Sequence, residues 1–175
     1  GQILRGVDPK LGRQVALKVI LPEVRGSQRI REKFLNEARI TSQLEHPGII
    51  PVHKLGQTTD GRDYFTMKLV HGEELGDKYD KAHAGDEEWT TTRVLGVLLR
   101  VCEAMSYAHS KGVIHRDIKP ANILFGQDGH VRIADFGLAS AFMDATQSEI
   151  SASGPRLDEL GGLRGYVGTA RYASP

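Results

Sequence analysis

Cysteine is nearly missing from this chain. Cys102 stands alone among 175 residues, so no internal disulfide can form, and such sparse usage suits a reducing, cytosolic setting. Its neighbours are apolar in a helical pattern, which predicts a buried, inert thiol rather than a nucleophile. Net charge is missing too: 23 lysines and arginines face 22 aspartates and glutamates. That balance gives no footing for a nucleic-acid or membrane-surface partner. The longest apolar run, Val94 to Leu99, falls far short of the ~20 residues that cross a bilayer. No secretory signal pattern, internal repeat or low-complexity tract is visible. Membrane attachment would have to come from sequence outside these residues. At this length one domain with a sizeable core is expected.

What is present is ordered. Gln14 to Leu21 is rich in Val, Ile and Leu and predicts a strand. Pro22 and Gly26 break it. Arg29 to Glu45 then carries Ile30, Phe34, Glu37, Thr41 and Leu44 at steps of three and four, one face of a helix that ends at His46-Pro47-Gly48. Ile49 to Leu55 and Tyr64 to Val70 predict two more strands around an Asp60-Gly61 turn. Gly72 to Glu88 is a polar connection with one short helix. Thr90 to Ser110 predicts a long helix, its buried stripe made by Val94, Leu98, Val101, Met105 and Ala108, with Gly112 as its stop. Short strands follow at Ile123 to Phe125 and Val131 to Ala134 around Asp128-Gly129, and a Ser- and Gly-rich loop runs from Ser140 to Gly168. Strands with one helix followed by mainly helices suggest two lobes rather than one layered sheet.

Chemistry concentrates in His115-Arg116-Asp117-Ile118-Lys119-Pro120-Ala121-Asn122 and, shortly after, Asp135-Phe136-Gly137. These two segments supply an acid to orient a hydroxyl, Asp117, and a cation to offset charge on a moving phosphoryl group, Lys119. They also supply two oxygen ligands for Mg²⁺, Asn122 and Asp135. Phosphoryl transfer needs that set, because its catalysis is mostly positioning and charge neutralisation.

In motif order and spelling the chain resembles the eukaryotic-like (Hanks-type) protein kinases, in their serine/threonine branch and of bacterial style. Lys119-Pro120 after the aspartate carries the branch. The resemblance implies an α+β, two-lobed kinase-like fold, with a β-rich N-lobe over about residues 1–70 and the first part of a helical C-lobe over 71–175. It implies ATP and Mg²⁺ as cofactors, and Ser/Thr side chains of proteins as acceptors. Val15-Ala16-Leu17-Lys18 is similar to the strand that carries the phosphate-binding lysine. Glu37, a charge inside an apolar stripe, is costly unless paired, and Lys18 is its implied partner. By the same resemblance Ile3 roofs the nucleotide, Ala16 and Leu124 form the ceiling and floor of the adenine slot, Met67 is the gatekeeper, and the backbone of Lys68 and Val70 meets adenine. His115 is implied to pack the loop rather than act as a base. Arg116 can clamp an activating phosphate.

Gly168-Thr169 and Arg171 to Pro175 are similar to the end of an activation segment. Within that segment Thr146, Ser148, Ser151 and Ser153 are phosphosite candidates, the alternative being a solvated loop. Gly1 is similar to the last glycine of the Gly-rich loop. The chain is therefore expected to be cut at both ends and to be inactive as this piece alone. Two rivals are weighed. A pseudokinase scaffold usually lacks the Lys18, Asp117 or Asp135 equivalents. A small-molecule kinase of related fold rarely has the Lys119-Pro120 pair together with the Gly168 to Pro175 segment.

Overall fold

A computed structural model describes residues 1–24 and 26–136, with the backbone of 140 and 141. The chain starts with an antiparallel hairpin, β1 (Gln2–Asp8) and β2 (Arg13–Val19), followed by α1 (Gln28–Ser42). Next come β3 (Val52–Gln57) and β4 (Asp63–Lys68). These four strands form one antiparallel sheet in the order β1-β2-β4-β3. β1 was not expected from sequence. It is an edge strand, largely exposed, and carries little of the apolar alternation that marks a half-buried strand.

The ladder places Ile3 opposite Lys18 and Lys18 opposite Phe65. The next row of the same face runs Arg5, Ala16, Met67. α1 packs on the sheet through Phe34 and Ala38, which share a small core with Ile20 and Phe65. Phe34 and Phe65 ring centroids lie 5.0 Å apart. Ile30 does not belong to the buried face and is 40% exposed, while Leu44 is buried beyond the helix end.

The second half holds β5 (Gly72–Glu74), α2 (Leu75–His83), α3 (Thr91–Ser110), β6 (Val113–Ile114), β7 (Ile123–Gly126), β8 (Val131–Ile133) and β9 (Ser140–Ala141). β5, β7 and β8 form one small sheet, β6 and β9 another. A separate and larger core surrounds α3, whose Thr90 hydroxyl caps the helix by accepting from Arg93 N–H. Gly112, at φ +74°, lets the chain leave the helix in a left-handed turn.

The buried stripe of α3 is Val94, Val97, Val101, Ala104 and Ala108. It differs from the expected stripe. Leu98 is 40% exposed and Met105 is half-buried. The helix turns its small residues inward: Ala104 and Ala108 are fully buried, and a Cβ added to Gly48 would lie 2.9 Å from Ala104 Cβ. The small side chain of Ala104 thus lets Gly48 approach α3 closely. The helix phase also carries Cys102 to the exposed outer face, which corrects the expected buried thiol. Among the described residues no helix is long and apolar enough to cross a membrane.

Candidate active site

Two clusters of charged side chains meet where the halves of the chain come together. The first joins three elements. Lys18 Nζ on β2 lies 2.6 Å from Glu37 Oε1 on α1 and 2.9 Å from Asp135 Oδ1, which follows β8. Lys18 and Glu37 side chains are 12% and 7% exposed, whereas Asp135 is 45% exposed. Burial alone would lower the Lys18 pKa, but the two carboxylates outweigh it and hold it above the usual lysine value. Burial raises Glu37 above the ordinary carboxylate range, with Lys18 offsetting part of that rise. The ammonium also lies 5.9 Å from the Phe65 ring centroid.

The second cluster is the loop between β6 and β7. Lys119 Nζ donates to Asp117 Oδ2 at 2.8 Å. Asn122, buried at the end of a 3-10 turn over Pro120–Asn122, donates through Nδ2 to Asp117 O at 2.8 Å and to Asp117 Oδ2 at 3.3 Å. Pro120 starts that turn with its fixed φ and no N–H to satisfy. Lysine, asparagine and aspartate thus share one carboxylate oxygen.

His115 ties the two clusters together. It is 1% exposed, and its Nδ1 accepts from Asp117 N–H at 3.2 Å. That acceptor role leaves the ring proton on Nε2, which donates to Ala134 O at 3.1 Å. The ring packs on Phe136, with centroids 4.5 Å apart. Burial holds the imidazole below its ordinary pKa, despite the favourable Ala134 carbonyl. His115 is therefore a neutral spacer that fixes Asp117 on one side and the residue before Asp135 on the other. Ala134 N–H adds a bond to Asn122 O at 2.8 Å.

Two non-glycine residues of this site sit in the left-handed region, Arg116 at φ +66° and Asp135 at φ +62°. Such a conformation costs roughly 1–2 kcal/mol for a residue with a Cβ. It is kept where surrounding contacts over-determine it.

The remaining residues singled out in the sequence are distributed as follows. Ala16 is buried, Met67 is half-buried opposite it, and Ile3 is exposed opposite Lys18. Lys68 N–H donates to Pro51 O at 3.1 Å. Val70 follows the end of β4. Leu124 belongs to a different sheet, paired with Glu74 and Arg132. Gly137, Thr146, Ser148, Ser151, Ser153 and the stretch from Gly168 to Pro175 lie outside the described residues. Two relationships escaped the sequence. One is the direct Lys18–Asp135 contact, between residues 117 apart in the chain. The other is an Arg31–Asp63 ion pair beside the first cluster. Asp63 beside a turn reads as a turn residue, and only its strand position shows that it is buried.

An α+β chain with a four-stranded sheet, one helix carrying a glutamate to a strand lysine, and an aspartate–lysine–asparagine loop below defines a protein kinase domain. The chain belongs to that family, whose "Protein kinase domain" profile matches residues 1–175. Among curated relatives it is similar to the serine/threonine-protein kinase PknD of Protochlamydia amoebophila, 36% identical over all of this chain and 19% of that protein. It is likewise 36% identical to the serine/threonine-protein kinase PknA of Mycobacterium tuberculosis, over all of this chain and 38% of that protein. Similarity to the serine/threonine-protein kinase PknJ of Mycobacterium bovis is 40% over 82% of this chain and 24% of that protein. The chain thus spans well under half the length of these relatives.

Proposed function

We propose that the protein of which these residues form the catalytic segment transfers the γ-phosphoryl group of Mg-ATP to serine or threonine hydroxyls of proteins. The observation that carries the reading is the Asp117 carboxylate. It is gripped by Lys119 and Asn122, while the Asp117 backbone N–H is held by a neutral histidine whose other ring nitrogen bonds Ala134 O, just before Asp135. The acceptor class follows the names of the relatives.

The donor set suits Mg²⁺. Asp135 offers a carboxylate that is 45% exposed, and Asn122, donating through Nδ2, has an amide oxygen to present to a cation. Among the described residues no group of three or more His, Cys, Asp and Glu could hold a metal ion. That fits a cation held by one or two protein oxygens and by phosphates. When bound, Mg²⁺ would neutralise charge on the phosphates.

The protein side of the reaction follows. Lys18, fixed by Glu37, reaches the α- and β-phosphates. Asp117 accepts the hydrogen bond of the incoming hydroxyl and takes its proton as the new P–O bond forms and the γ-phosphorus bond to the bridging oxygen breaks, with ADP leaving. Lys119, 2.8 Å from Asp117, meets the growing negative charge on the transferred group. Ile3, Ala16, Met67 and Leu124 supply apolar contact to the base, while Lys68 and Val70 border it.

The test is a pair of isosteric variants in the full-length protein. Asp117→Asn should keep Mg-ATP binding and lose about 10³-fold or more in transfer. Asp135→Asn should weaken Mg-ATP binding as well. Transfer to a basic protein substrate is followed with radiolabel, and phosphoamino-acid analysis identifies the acceptor. Near-normal rates for either variant would sink the assignment; label on a small metabolite instead of protein would favour the small-molecule rival.

A further inference from the structure

We infer that Arg31 and Asp63 act as a positioning pair that holds α1 in the register at which Glu37 meets Lys18; the inference rests on the phosphoryl-transfer reading above. Arg31 Nε lies 2.6 Å from Asp63 Oδ2, and Arg31 Nη2 donates to Asp63 Oδ1 at 3.3 Å, a two-point contact between helix and sheet. The Asp63 side chain is 8% exposed. Gln57 Nε2 from β3 donates to the same carboxylate at 3.0 Å, and Ile20 N–H, just past β2, donates to Asp63 O at 3.1 Å. One residue therefore ties α1 to three strands.

The spacing gives this contact its meaning. Asp63 and Phe65 are two apart on β4 and share a face, and Phe65 stands opposite Lys18. On α1, Arg31, Phe34 and Glu37 follow at steps of three and line one side. Three contacts thus run in parallel: Arg31 with Asp63, Phe34 with Phe65, and Glu37 with Lys18. A rotation or slide of the helix by one turn, about 5.4 Å, would break all three at once.

Among the described residues the N-terminal part of α1 has little else to hold it. Ile30 is 40% exposed, and the buried residues of the helix begin at Phe34. The Ser27 cap is long, its hydroxyl 3.5 Å from Ile30 N. Arg31 therefore supplies the anchor that apolar packing provides further along. The Arg31 guanidinium, with help from Gln57, keeps the Asp63 carboxyl below its ordinary range, as a persistent ion pair requires.

The experiment uses the full-length protein with Asp63→Asn, Arg31→Gln, the double variant, Arg31→Lys, and Asp60→Asn as a control in the same hairpin. kcat and KM for Mg-ATP are measured, together with amide hydrogen exchange across α1. Asp63→Asn and Arg31→Gln are each expected to lower kcat about tenfold with KM within about twofold, and to speed exchange in α1. The double variant should be no worse than either single. Arg31→Lys should retain most of the activity, and Asp60→Asn should match wild type. kcat within twofold of wild type for a folded Asp63→Asn would overturn the proposal. So would strictly additive losses in the double, or an equal loss from Asp60→Asn. If the wild-type protein transfers no phosphate, the kinase reading fails and the exchange data decide alone. Faster α1 exchange in both singles, no faster in the double, upholds the clamp, and unchanged exchange overturns it.

Discussion

Lys18 stands between two carboxylates of unequal exposure, Glu37 behind it at 2.6 Å and Asp135 in front at 2.9 Å. The two ends of this bridge respond differently to removal. Losing Lys18 leaves Glu37 buried with a like charge nearby, whereas losing Glu37 leaves Lys18 with Asp135.

Lys18→Met is therefore expected to destabilise more than Glu37→Gln. The larger loss should fall in the range of about 3–5 kcal/mol found when one partner of a buried pair is removed. It should also depend on pH. The Glu37 carboxyl, already raised by burial, rises further without its cation, so the folded state takes up a proton that the unfolded chain gives up. The penalty is full above the folded-state pKa and is relieved as pH falls through it. Urea midpoints at pH 7.5 and 5.5 check both points; equal losses in the two variants would contradict the asymmetry.

His115 sets a second pH dependence with the opposite sign. Its folded pKa lies below the ordinary 6.5, so the unfolded chain binds a proton that the folded ring refuses. The stabilising contribution is complete above pH 6.5 and is lost as the pH falls from there towards the folded pKa. His115→Gln should flatten the stability profile between pH 7 and 5.5, whatever its absolute cost. A proton NMR titration should show the His115 ring changing charge below the ordinary 6.5.

Glycines give a paired test of backbone packing. A Cβ on Gly72 would lie 2.0 Å from Phe125 O, against the backbone of the neighbouring strand, while one on Gly96 in α3 would meet nothing. Gly72→Ala should cost about 1–3 kcal/mol by forcing β5 from β7. Gly96→Ala should stabilise by up to about 1 kcal/mol through helix propensity. Denaturant unfolding reads both; a stabilised Gly72→Ala would show that β5 is free to shift.

The only tryptophan reports on the α3 core. Trp89 is 3% exposed, meets Phe125 edge-on at 4.8 Å, and lies between Lys78 and Arg93 at 4.9 and 4.4 Å from its ring. Its emission should shift to the red on unfolding. Trp89→Ala should cost about 3–5 kcal/mol, and Trp89→Phe markedly less. A loss near zero for the alanine variant would place the indole outside the core.

Much of this was legible in the sequence because local chemistry and local periodicity carried it. The α3 helix and its Gly112 stop are written within one segment, and so is the Asp117–Lys119–Asn122 cluster. The pairing of Lys18 with Glu37 was readable because a charge in an apolar stripe demands a partner. The phase of α3 was not, since Leu98 and Val97 suit the same stripe equally well until Gly48 and Ala104 are brought into contact. Cys102 was misplaced with it. Asp63 and Arg31 escaped for a related reason: each is ordinary in its own segment, and only tertiary contact makes them a pair.

The 117 residues between Lys18 and Asp135 also bear on how the site comes into being. A ribosome adding about 5–20 residues per second delivers the second partner roughly 6–23 seconds after the first. Glu37 emerges early, and the hairpin, α1 and their small core have all their residues long before Asp135 exists. The half of the site that grips the lysine from behind can assemble during synthesis, while the half that brings Asp135 to its front waits for chain that has yet to be made.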